Sequence, residues 1–447
     1  MSRVAVIGGG IAGLTCAFFL KREGISVTLF ERESSVGGRM RARTKDHLAF
    51  DIGANFLVRA YGGIHRLAQE LGVPIHEVSS TSIGHEVFRQ GRFCAINFSS
   101  IQDVFRMGGL NFGSRLRFLK FVLWVRARYP RLDFFDLSSV PDELNREDAY
   151  SCARRNIGGE FADYILDSFN SAMMFHRAAE SSAAGFLALF SMMADPSFDF
   201  DVMYTEGHMS AIPEALARNL DVRTGCEVTA VEPCAEGLRV TTAPSQQETY
   251  RAVVLATTAG AAAKLLGRAA PREHRELLAQ TRYAATINVA FRIPSHSLGR
   301  THCFYVPFVE NPIVSEFTDE SMKGEHAACH QGCSLVNVGL HEAAALDLMD
   351  EPDEVVFETV RLELLKLHRG LGGMPAQVLP YDLQRWPEAI PKYDCGQLSR
   401  VREFLRTAQG KRGLFLCGDY LNAPWIEGAS RMGRTVARAV AAERVPR

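Results

Sequence analysis

Several features that mark specialised classes of protein are missing from this chain. Its 447 residues contain no apolar run of the roughly 18 residues that a membrane-spanning helix requires. The formal net charge is -1, so no global field attracts nucleic acid. The 10 cysteines are widely scattered, which is typical of a reduced protein with buried thiols and not of a disulfide framework. These absences leave an ordinary globular protein without nucleic acid as a partner.

The composition and the first residues support that interpretation. Hydrophobic residues make up 47% and charged residues 23% of the chain, and the length is sufficient for two hydrophobic cores. The sequence passes from Arg3 directly into an apolar strand pattern, without the features of a secretory signal peptide. We therefore expect a cytoplasmic protein, with peripheral membrane contact as the alternative discussed below.

The first thirty or so residues carry the clearest local pattern. A β-branched run at 4–7 leads into a glycine-rich turn, a helical pattern and a second strand at 26–30. In the turn, Gly8, Gly10 and Gly13 satisfy G-x-G-x-x-G. Such glycines allow a tight turn, close approach of a pyrophosphate and close packing of helix on strand. Glu31 ends the second strand, where its carboxylate can accept hydrogen bonds from a ribose, so we predict a dinucleotide site; a glycine turn without a nucleotide is the alternative.

The residues that follow distinguish NAD from FAD. Gly37-Gly38-Arg39 comes soon after Glu31, and Asp51-Ile52-Gly53-Ala54 comes next. This succession resembles the FAD-binding entry of the flavin amine oxidase superfamily, which includes monoamine oxidases, protoporphyrinogen oxidases and phytoene-type desaturases. The resemblance implies that the chain binds FAD and that the guanidinium fork of Arg39 meets the FAD phosphates. A surface turn with an unrelated arginine is the alternative.

A second signature near residue 420 resembles the C-terminal FAD motif of the same superfamily. A buried strand pattern at 413–417 stops at Gly418-Asp419, and Trp425-Ile426-Glu427-Gly428-Ala429 leads into a helix. The resemblance implies that Asp419 binds the ribityl or phosphate region and that the helix points its N-terminus at the flavin. The full set of residues implied at the cofactor is Gly8, Gly10, Ile11, Ala12, Gly13, Glu31, Arg32, Gly38, Arg39, Gly53, Ala54, Asn55, Val228, Gly418, Asp419, Glu427, Gly428 and Ala429.

Because the two cofactor signatures lie at opposite ends of the chain, we predict a discontinuous architecture. The fold class is α/β, with a Rossmann-like FAD-binding domain of the GR2 type and an inserted α+β substrate domain that includes a helical subdomain. The FAD-binding domain is assigned to residues 1–75, 206–265 and 405–447. The substrate-binding domain is assigned to residues 76–205 and 266–404.

The substrate half offers one family marker. The stretch from Arg385 to Tyr393 resembles the W-P-x-A-x-P-x-Y segment of protoporphyrinogen-oxidase-like proteins, which lies beside the flavin; a plain Pro-rich loop is the alternative. Trp425 stands where amine oxidases place an aromatic side chain. Asn288 stands where they place a lysine, and Phe56 lies near the position of the arginine of amino-acid oxidases. We therefore expect Trp425, Asn288, Tyr393 and Phe56 to line the space in front of the flavin, and we assign no general base.

Two further segments bear on binding partners. Residues 102–131 hold seven basic residues against one acidic residue, beside a helical stripe of Phe112, Leu116, Leu119 and Leu123. Such a helix can lie on an anionic membrane, or can be a solvated helix with one face in the core. His326, Cys329, His330 and Cys333 cluster within eight residues, but structural metal sites usually take ligands from two separated segments, so we predict no metal.

The sequence thus predicts an FAD-dependent oxidoreductase, closest to protoporphyrinogen-oxidase-like enzymes, that oxidises a small apolar or aromatic molecule by hydride transfer to flavin. The reaction would desaturate a C–N or C–C bond, with O2 or a quinone as electron acceptor. The alternatives are a redox-neutral isomerase or hydratase, a carotenoid or isoprenoid desaturase-like enzyme, and a flavin-binding partner without turnover. A homodimer is compatible with the sequence. A broad apolar slot before the flavin would favour tetrapyrrole or isoprenoid substrates, and a small aromatic-walled one would favour amines.

Overall fold

A computed structural model describes residues 3–78, 84–96, 104, 107–137, 140–195, 198–206, 208–323 and 328–443. Its α-helices span Ile11–Arg22, Gly62–Leu71, Phe112–Arg128, Ala149–Asn156, Gly159–Phe161, Asp167–Met174, Ala183–Met193, Ala211–Ala217, Ala259–Leu266, Arg272–Gln280, Glu342–Asp347, Asp353–Leu367, Arg369–Gly372, Gln397–Thr407 and Trp425–Ala442. A π-helical turn at Ala162–Leu166 joins Gly159–Phe161 to Asp167–Met174. None of the described helices combines the length and the apolar character that crossing a bilayer demands.

One lobe is built on a five-stranded sheet in which every neighbouring pair is parallel. Its strands, in spatial order, are Asp221–Arg223, Val27–Phe30, Val4–Ile7, Ala252–Leu255 and Leu414–Leu416. The central strands Val4–Ile7 and Ala252–Leu255 are fully buried, as expected for a parallel sheet covered on both faces. An antiparallel sheet of Val228–Cys234, Gly237–Thr242 and Gln246–Tyr250 is attached to this lobe. This is the Rossmann-like half that the sequence predicts.

The other lobe is built on a seven-stranded, mostly antiparallel sheet. Its strands, in spatial order, are Leu379–Pro391, Tyr283–Pro294, Cys333–Leu340, Val314–Asp319, Thr301–Tyr305, Gly84–Arg89 and Arg92–Ile96. Two small sheets complete the described strands: Ala42–Lys45 with Leu48–Asp51, and Leu57–Val58 with Val202–Thr205 and Ile75–Glu77. Helices between residues 112 and 193 pack beside the large sheet, which gives the predicted helical subdomain. The division into residue ranges given above remains our proposed domain assignment.

The ends of the described chain meet where two helices pack closely. Helix Ile11–Arg22 follows the glycine-rich turn, and helix Trp425–Ala442 lies against it. A Cβ atom at Gly433 would overlap the carbonyl oxygen of Ala12, so this position tolerates only glycine at the present separation. The contact fixes the C-terminal helix relative to the glycine-rich turn.

A buried ion cluster joins the two lobes. The Lys323 ammonium lies 3.2 Å from Asp51 Oδ2 and 2.5 Å from Glu320 Oε2, and all three side chains are at most 7% exposed. Asp51 also accepts a hydrogen bond from the backbone N–H of Met209 at 3.1 Å. Burial alone would lower the pKa of Lys323, but the two carboxylates outweigh it and raise that pKa. The cluster therefore holds three segments that are distant in sequence.

We predict that Lys323→Met destabilises the folded protein by about 3–5 kcal/mol, because Asp51 and Glu320 would remain buried without their cation. Burial already raises the pKa of Asp51 in the native fold, and removing the lysine raises it further. A group with a raised folded-state pKa loses stability as pH rises, so the deficit should be largest near about pH 8 and shrink toward about pH 5. Urea unfolding of the FAD-saturated protein at several pH values measures this.

Lys366→Met is the matched control for that prediction, since Lys366 is 68% exposed and pairs with Glu363 on the surface. It should change the free energy of unfolding by less than about 1 kcal/mol at every pH. A deficit in Lys323→Met that equals the control, or that grows as the pH is lowered, contradicts the role given to the cluster.

Candidate active site

The glycine-rich turn has the geometry of a phosphate-binding loop. Gly8 has a φ of 109°, and a Cβ atom there would lie 2.7 Å from the carbonyl oxygen of Ala256. A Cβ atom at Gly13 would overlap the carbonyl oxygen of Gly8. At Gly10, by contrast, a Cβ atom would meet no atom of the described residues within 4 Å. Gly8 and Gly13 are thus needed by the fold, whereas Gly10 borders open space at the N-terminus of helix Ile11–Arg22, where a pyrophosphate can lie.

Glu31 is held beside this turn. Its carboxylate accepts the backbone N–H of Gly9 at 2.7 Å and that of Glu33 at 2.9 Å. The backbone carbonyl of Glu31 accepts the N–H of Cys226 at 2.9 Å, which brings the start of strand Val228–Cys234 to the same edge. Two fixed N–H donors orient the carboxylate and leave it lone pairs for further donors such as ribose hydroxyls. The neighbouring Arg32 side chain is 71% exposed and contacts Glu33.

Arg39 and Asp419 form a bidentate ion pair. The guanidinium donates to the two carboxylate oxygens at 2.8 and 3.0 Å and also to the carbonyl oxygen of Ala389. Burial would lower the pKa of Arg39, but Asp419 outweighs burial and raises that pKa further above its ordinary value. The Tyr393 hydroxyl donates to the backbone carbonyl of Asp419. Both predicted cofactor signatures and the predicted Pro-rich marker therefore meet at one point.

The segment Gly53–Asn55 packs directly against this point. The backbone N–H of Ala54 donates to the carbonyl of Arg39 at 2.8 Å, and a Cβ atom at Gly53 would overlap that same carbonyl. The Asn288 amide donates to the carbonyls of Ile52 and Gly53 at 3.1 and 3.3 Å. Asn288 therefore acts through its amide on the backbone of this segment and ties it to the large sheet.

The strand Leu379–Pro391 crosses the same region. The Trp386 indole N–H donates to the carbonyl of Ile52 at 2.6 Å, and the Ala389 carbonyl accepts from Arg39. The register with strand Tyr283–Pro294 is irregular between Ala284 and Thr286, opposite Pro387. Proline cannot donate to a sheet ladder, so such irregularity is expected there. Most of the stretch from Arg385 to Tyr393 thus belongs to an edge strand of the large sheet, not to a loop.

Helix Trp425–Ala442 begins at the same site. The Glu427 side chain is fully buried and accepts the N–H groups of Gly63 and Ile64, each at 2.9 Å. Arg431 donates to the same carboxylate at 2.8 Å. Glu427 thus caps helix Gly62–Leu71 at its positive end and does not point its carboxylate into open space. A Cβ atom at Gly428 would overlap the Ala423 carbonyl, so Gly428 and the buried Ala429 keep this helix start close to the preceding turn.

Trp425 occupies a strained position at the start of that helix. Its φ is 71°, a left-handed conformation that costs a non-glycine residue roughly 1–2 kcal/mol. The indole N–H donates to the carbonyl of Met173 at 3.1 Å. Its ring lies 4.7 Å from Phe134, 6.0 Å from Phe200 and 6.3 Å from Phe169, measured between ring centroids. Strain that the surrounding packing holds in place is a frequent property of functional sites.

A cavity of about 840 Å³ lies between the helical subdomain and the large sheet, and Tyr393 and Pro424 connect its wall to the region just described. Its wall is mostly apolar. The phenylalanines that line it are Phe118, Phe134, Phe161, Phe169, Phe186, Phe190, Phe198 and Phe200. The polar groups include His85, His302 and Tyr305 at one wall and Asn170, His176 and Ser181 at another. Phe56 stands outside this wall, with its ring edge-to-face to His302 at 6.4 Å.

Sequence reasoning did not identify several of these residues. His85 and His302 are more than 200 residues apart and no motif contains them, so only the pairing of strands Gly84–Arg89 and Thr301–Tyr305 brings them together. Phe169 gave no signal either, because it is one of 28 phenylalanines. Of the four His and Cys residues between 326 and 333, for which we predict no metal, His326 lies outside the described residues. Among the described residues, no three His, Cys, Asp or Glu side chains converge on a metal-sized site.

The site fits an FAD cofactor. Open space borders Gly10 at a helix N-terminus, Glu31 presents an oriented carboxylate, and the Arg39 side chain is still 33% exposed beside Asp419. A Rossmann-like sheet with this turn at its edge and a large apolar cavity adjoining it defines a flavin-dependent oxidoreductase.

Comparison with known proteins leads to the same class. Residues 11–441 match the family model of flavin-containing amine oxidoreductases, and the chain belongs to that family. The family implies an enzyme with FAD as its cofactor. The predicted resemblance, the enzyme class and the cofactor are therefore confirmed.

Relatives and solved structures are consistent with that membership. The chain is 32% identical over 168 residues to mitochondrial protoporphyrinogen oxidase of Nicotiana tabacum, a match that covers 37% of this chain and 31% of that protein. The match thus spans about a third of that relative's length. A putrescine oxidase triple mutant and cyclohexylamine oxidase from Brevibacterium oxydans IH-35A superpose with TM-scores of 0.77 and 0.76, at 17% and 15% identity. Each superposition covers 99% of this chain and 99% of the other chain. The two superpositions confirm the predicted fold class.

We predict that Gly10→Ala separates cofactor binding from folding. Its backbone φ of -74° suits alanine and the added Cβ meets no protein atom, so the apoprotein should keep its stability within about 1 kcal/mol. The same methyl group would occupy the space at the phosphate turn, so the dissociation constant for FAD should rise by roughly tenfold or more. Apoprotein melting and FAD titration by flavin fluorescence quenching give the two values.

Gly13→Ala serves as the contrasting variant, because its Cβ would overlap the Gly8 carbonyl. This change should lower apoprotein stability and FAD affinity together. If Gly10→Ala binds FAD as tightly as the native protein, the cofactor does not lie against this turn.

Proposed function

We propose that this chain catalyses the FAD-dependent dehydrogenation of a mostly apolar organic molecule of drug-like size or larger. The reaction desaturates a C–C or C–N bond, and O2 is the electron acceptor. The observation that carries the proposal is the cavity of about 840 Å³, walled by phenylalanines, that adjoins Tyr393 and Pro424. Cavities of this size enclose a drug-sized or larger ligand and select it mainly by apolar contact. A small aliphatic amine would fill only a minor part of this space.

The charged residues that line the cavity restrict the class of substrate that it can bind. The described lining contains Glu77, Asp195, Asp199 and Asp201 but neither lysine nor arginine. A buried carboxylate without a cation is strongly disfavoured, so substrates that carry several carboxylates are poor candidates. This argues against a polycarboxylated tetrapyrrole and favours a neutral, isoprenoid-like or aromatic molecule. The proposal therefore departs from the protoporphyrinogen-oxidase-like reaction that the sequence resemblance suggested first.

In this proposal the residues of the chain bind and orient the substrate. Bound FAD supplies the two-electron acceptor. The apolar wall excludes water, which strengthens every polar contact inside the cavity. Phe169 lines the cavity, and its ring lies 6.3 Å from that of Trp425, which we expect on the cofactor side. Asn288 and Tyr393 act as positioning residues, since their polar groups are engaged with the backbone of Gly53 and of Asp419.

The proposal is tested by mixing the FAD-loaded protein, without oxygen, with a panel of apolar compounds: an isoprenoid polyene precursor, a neutral polycyclic aromatic amine and protoporphyrinogen. We expect the polyene or the aromatic amine to remove the yellow flavin colour in a single turnover, with one product that lacks two hydrogens per flavin. Admission of O2 should restore the colour and release hydrogen peroxide. Phe169→Ala should slow colour loss by roughly tenfold or more, because a displaced substrate reacts poorly.

An exposed phenylalanine provides the control for this variant, since Phe112 is 68% exposed and Phe112→Ala should leave the rate of colour loss unchanged. Turnover in which the flavin stays oxidised and no acceptor is consumed would replace the proposal with the redox-neutral isomerase or hydratase alternative. Fast colour loss with protoporphyrinogen alone would overturn the substrate class.

We further propose peripheral contact between helix Phe112–Arg128 and an anionic membrane. Within this helix Phe112, Leu116, Leu123 and Trp124 are each more than half exposed, whereas Phe118, Phe121 and Val125 are buried. Exposed Lys120 and Arg128 lie on the same helix. Apolar groups next to basic groups suit the boundary between headgroups and acyl chains. Residues 102, 103, 105 and 106 of the predicted basic segment lie outside the described residues.

We predict that the protein co-sediments with vesicles of phosphatidylglycerol and phosphatidylcholine, and that Phe112→Gln with Leu116→Gln weakens this binding by roughly tenfold, because apolar burial and lipid charge both contribute. The control is Leu346→Gln with Leu362→Gln, since these leucines are 57% and 45% exposed on other helices. Equal binding by both double variants, or binding that ignores the anionic lipid, rules the contact out.

A further inference from the structure

One wall of the cavity carries polar groups that the proposed reaction does not use. His85 and Tyr305 lie on neighbouring parallel strands, with Cys303 opposite His85. Their rings stack at 5.6 Å with an angle of 20°, and the Tyr305 hydroxyl lies 3.1 Å from His85 Nδ1. Both side chains line the cavity. The cavity wall is mostly apolar, so a hydrogen-bonded histidine–tyrosine pair is an unusual part of it.

The direction of the hydrogen bond between Tyr305 and His85 determines which nitrogen of the His85 ring carries the hydrogen. Tyr305 is a buried phenol whose pKa is raised well above its ordinary value, first by burial, so it keeps its proton and can donate it. With the Tyr305 hydroxyl as the donor, His85 Nδ1 is the acceptor, and burial lowers the pKa of His85 to about 4, so the ring is neutral. A neutral imidazole that accepts at Nδ1 carries its hydrogen on Nε2. His85 therefore offers an N–H donor at the cavity wall.

His302 lies at the same wall and has an incomplete set of partners. The pairing of its strand is irregular between Thr301 and Cys303, so His302 sits at a bulge, which redirects a side chain relative to regular alternation. Its Nδ1 lies 3.1 Å from the carbonyl of Asp319 and donates to it. Its Nε2 has no partner among the described residues although the side chain is 1% exposed. A buried polar atom without a partner often marks a place that a ligand or water completes.

Phe169 lies between the wall that carries His85 and Tyr305 and the expected cofactor side of the cavity. The Phe169 ring lies 6.2 Å from Tyr305 and 6.3 Å from Trp425, so one aromatic ring separates the His85–Tyr305 pair from the predicted flavin-facing tryptophan. On the other side, His302 contacts Phe56. A long substrate whose end group is held by His85 would therefore extend past Phe169 toward Trp425.

We propose that His85 and Tyr305 form a head-group subsite that binds an oxygen acceptor, a carbonyl or a hydroxyl, at one end of an apolar substrate. His85 Nε2–H donates to that oxygen, and Tyr305 acts as the positioning residue that sets the tautomer. This inference rests on the proposed function, because it concerns the same cavity, but it makes a claim about binding that does not need turnover.

The test measures binding to the FAD-loaded protein with three twelve-carbon probes: 2-dodecanone, n-dodecane and 1-dodecanamine. Each probe competes with Nile red, an apolar dye whose fluorescence reports occupancy. We expect His85→Phe to raise the dissociation constant for the ketone, relative to the alkane, by about tenfold, since one buried hydrogen bond is lost. The amine, which has no acceptor once protonated, should lose no affinity relative to the alkane. His85→Gln keeps a side-chain N–H and should restore most of the ketone preference.

Tyr305→Phe should reduce the ketone preference by a smaller factor than His85→Phe, because the ring can then carry its proton on either nitrogen. Phe186→Leu, at the apolar part of the wall, should weaken ketone and alkane equally and leave their ratio unchanged. Unaltered melting temperature and FAD content identify the variants that fold. An unchanged ketone-to-alkane ratio in folded His85→Phe, or an equal change for the amine, overturns the subsite. Failure of the proposed function would instead appear as absence of flavin colour loss while these ratios shift as stated.

Discussion

The ion pair between Arg39 and Asp419 is the constraint on which the rest of the site depends. It links residues 380 positions apart with two hydrogen bonds, and the same guanidinium donates to the carbonyl of Ala389. One side chain thus joins the first cofactor signature, the second cofactor signature and the Pro-rich strand. An arginine can do this because its planar fork satisfies a carboxylate and still offers a donor elsewhere. Without Arg39, the buried Asp419 would lose its cation, and the three segments would lose the residue that all of them contact.

Around this pair the structure separates two tasks. The glycine-rich turn, Glu31 and the start of strand Val228–Cys234 lie on the parallel-sheet lobe and suit a dinucleotide. The large sheet and the helical subdomain enclose an apolar cavity whose wall is low in positive charge. The two regions meet at Tyr393 and Pro424, and the Lys323 cluster holds the lobes in one orientation. The cofactor half carries short sequence motifs, whereas the cavity is lined by residues that no single motif contains.

That contrast explains how much the sequence could predict. The glycine-rich turn was recognisable because its pattern is short and regular: Gly13 is required by the carbonyl of Gly8 in the same turn, although Gly8 itself is required by the distant carbonyl of Ala256. Glu427 was assigned to the cofactor, and its carboxylate proved to cap helix Gly62–Leu71, a long-range contact that no local pattern reveals. The His85–Tyr305 pair depends on strand pairing across more than 200 residues, which no local pattern indicates. Local sequence patterns thus predict the glycine-rich turn, whereas the residues that line the cavity are set by tertiary contacts between distant segments.

The π-helical turn at Ala162–Leu166 has a consequence for the shape of the chamber. Such a turn accommodates one extra residue within a helix and rotates everything that follows by about 100°. Ile165 and Leu166 line the cavity from this turn, and the next residue, Asp167, accepts Arg177 at 2.6 Å and the N–H of Ala178 at 2.8 Å. Deleting one residue here would restore a regular helix and turn Asp167 away from both partners. Insertion or loss of a single codon at this place is therefore a short route by which related chains can acquire differently shaped binding chambers.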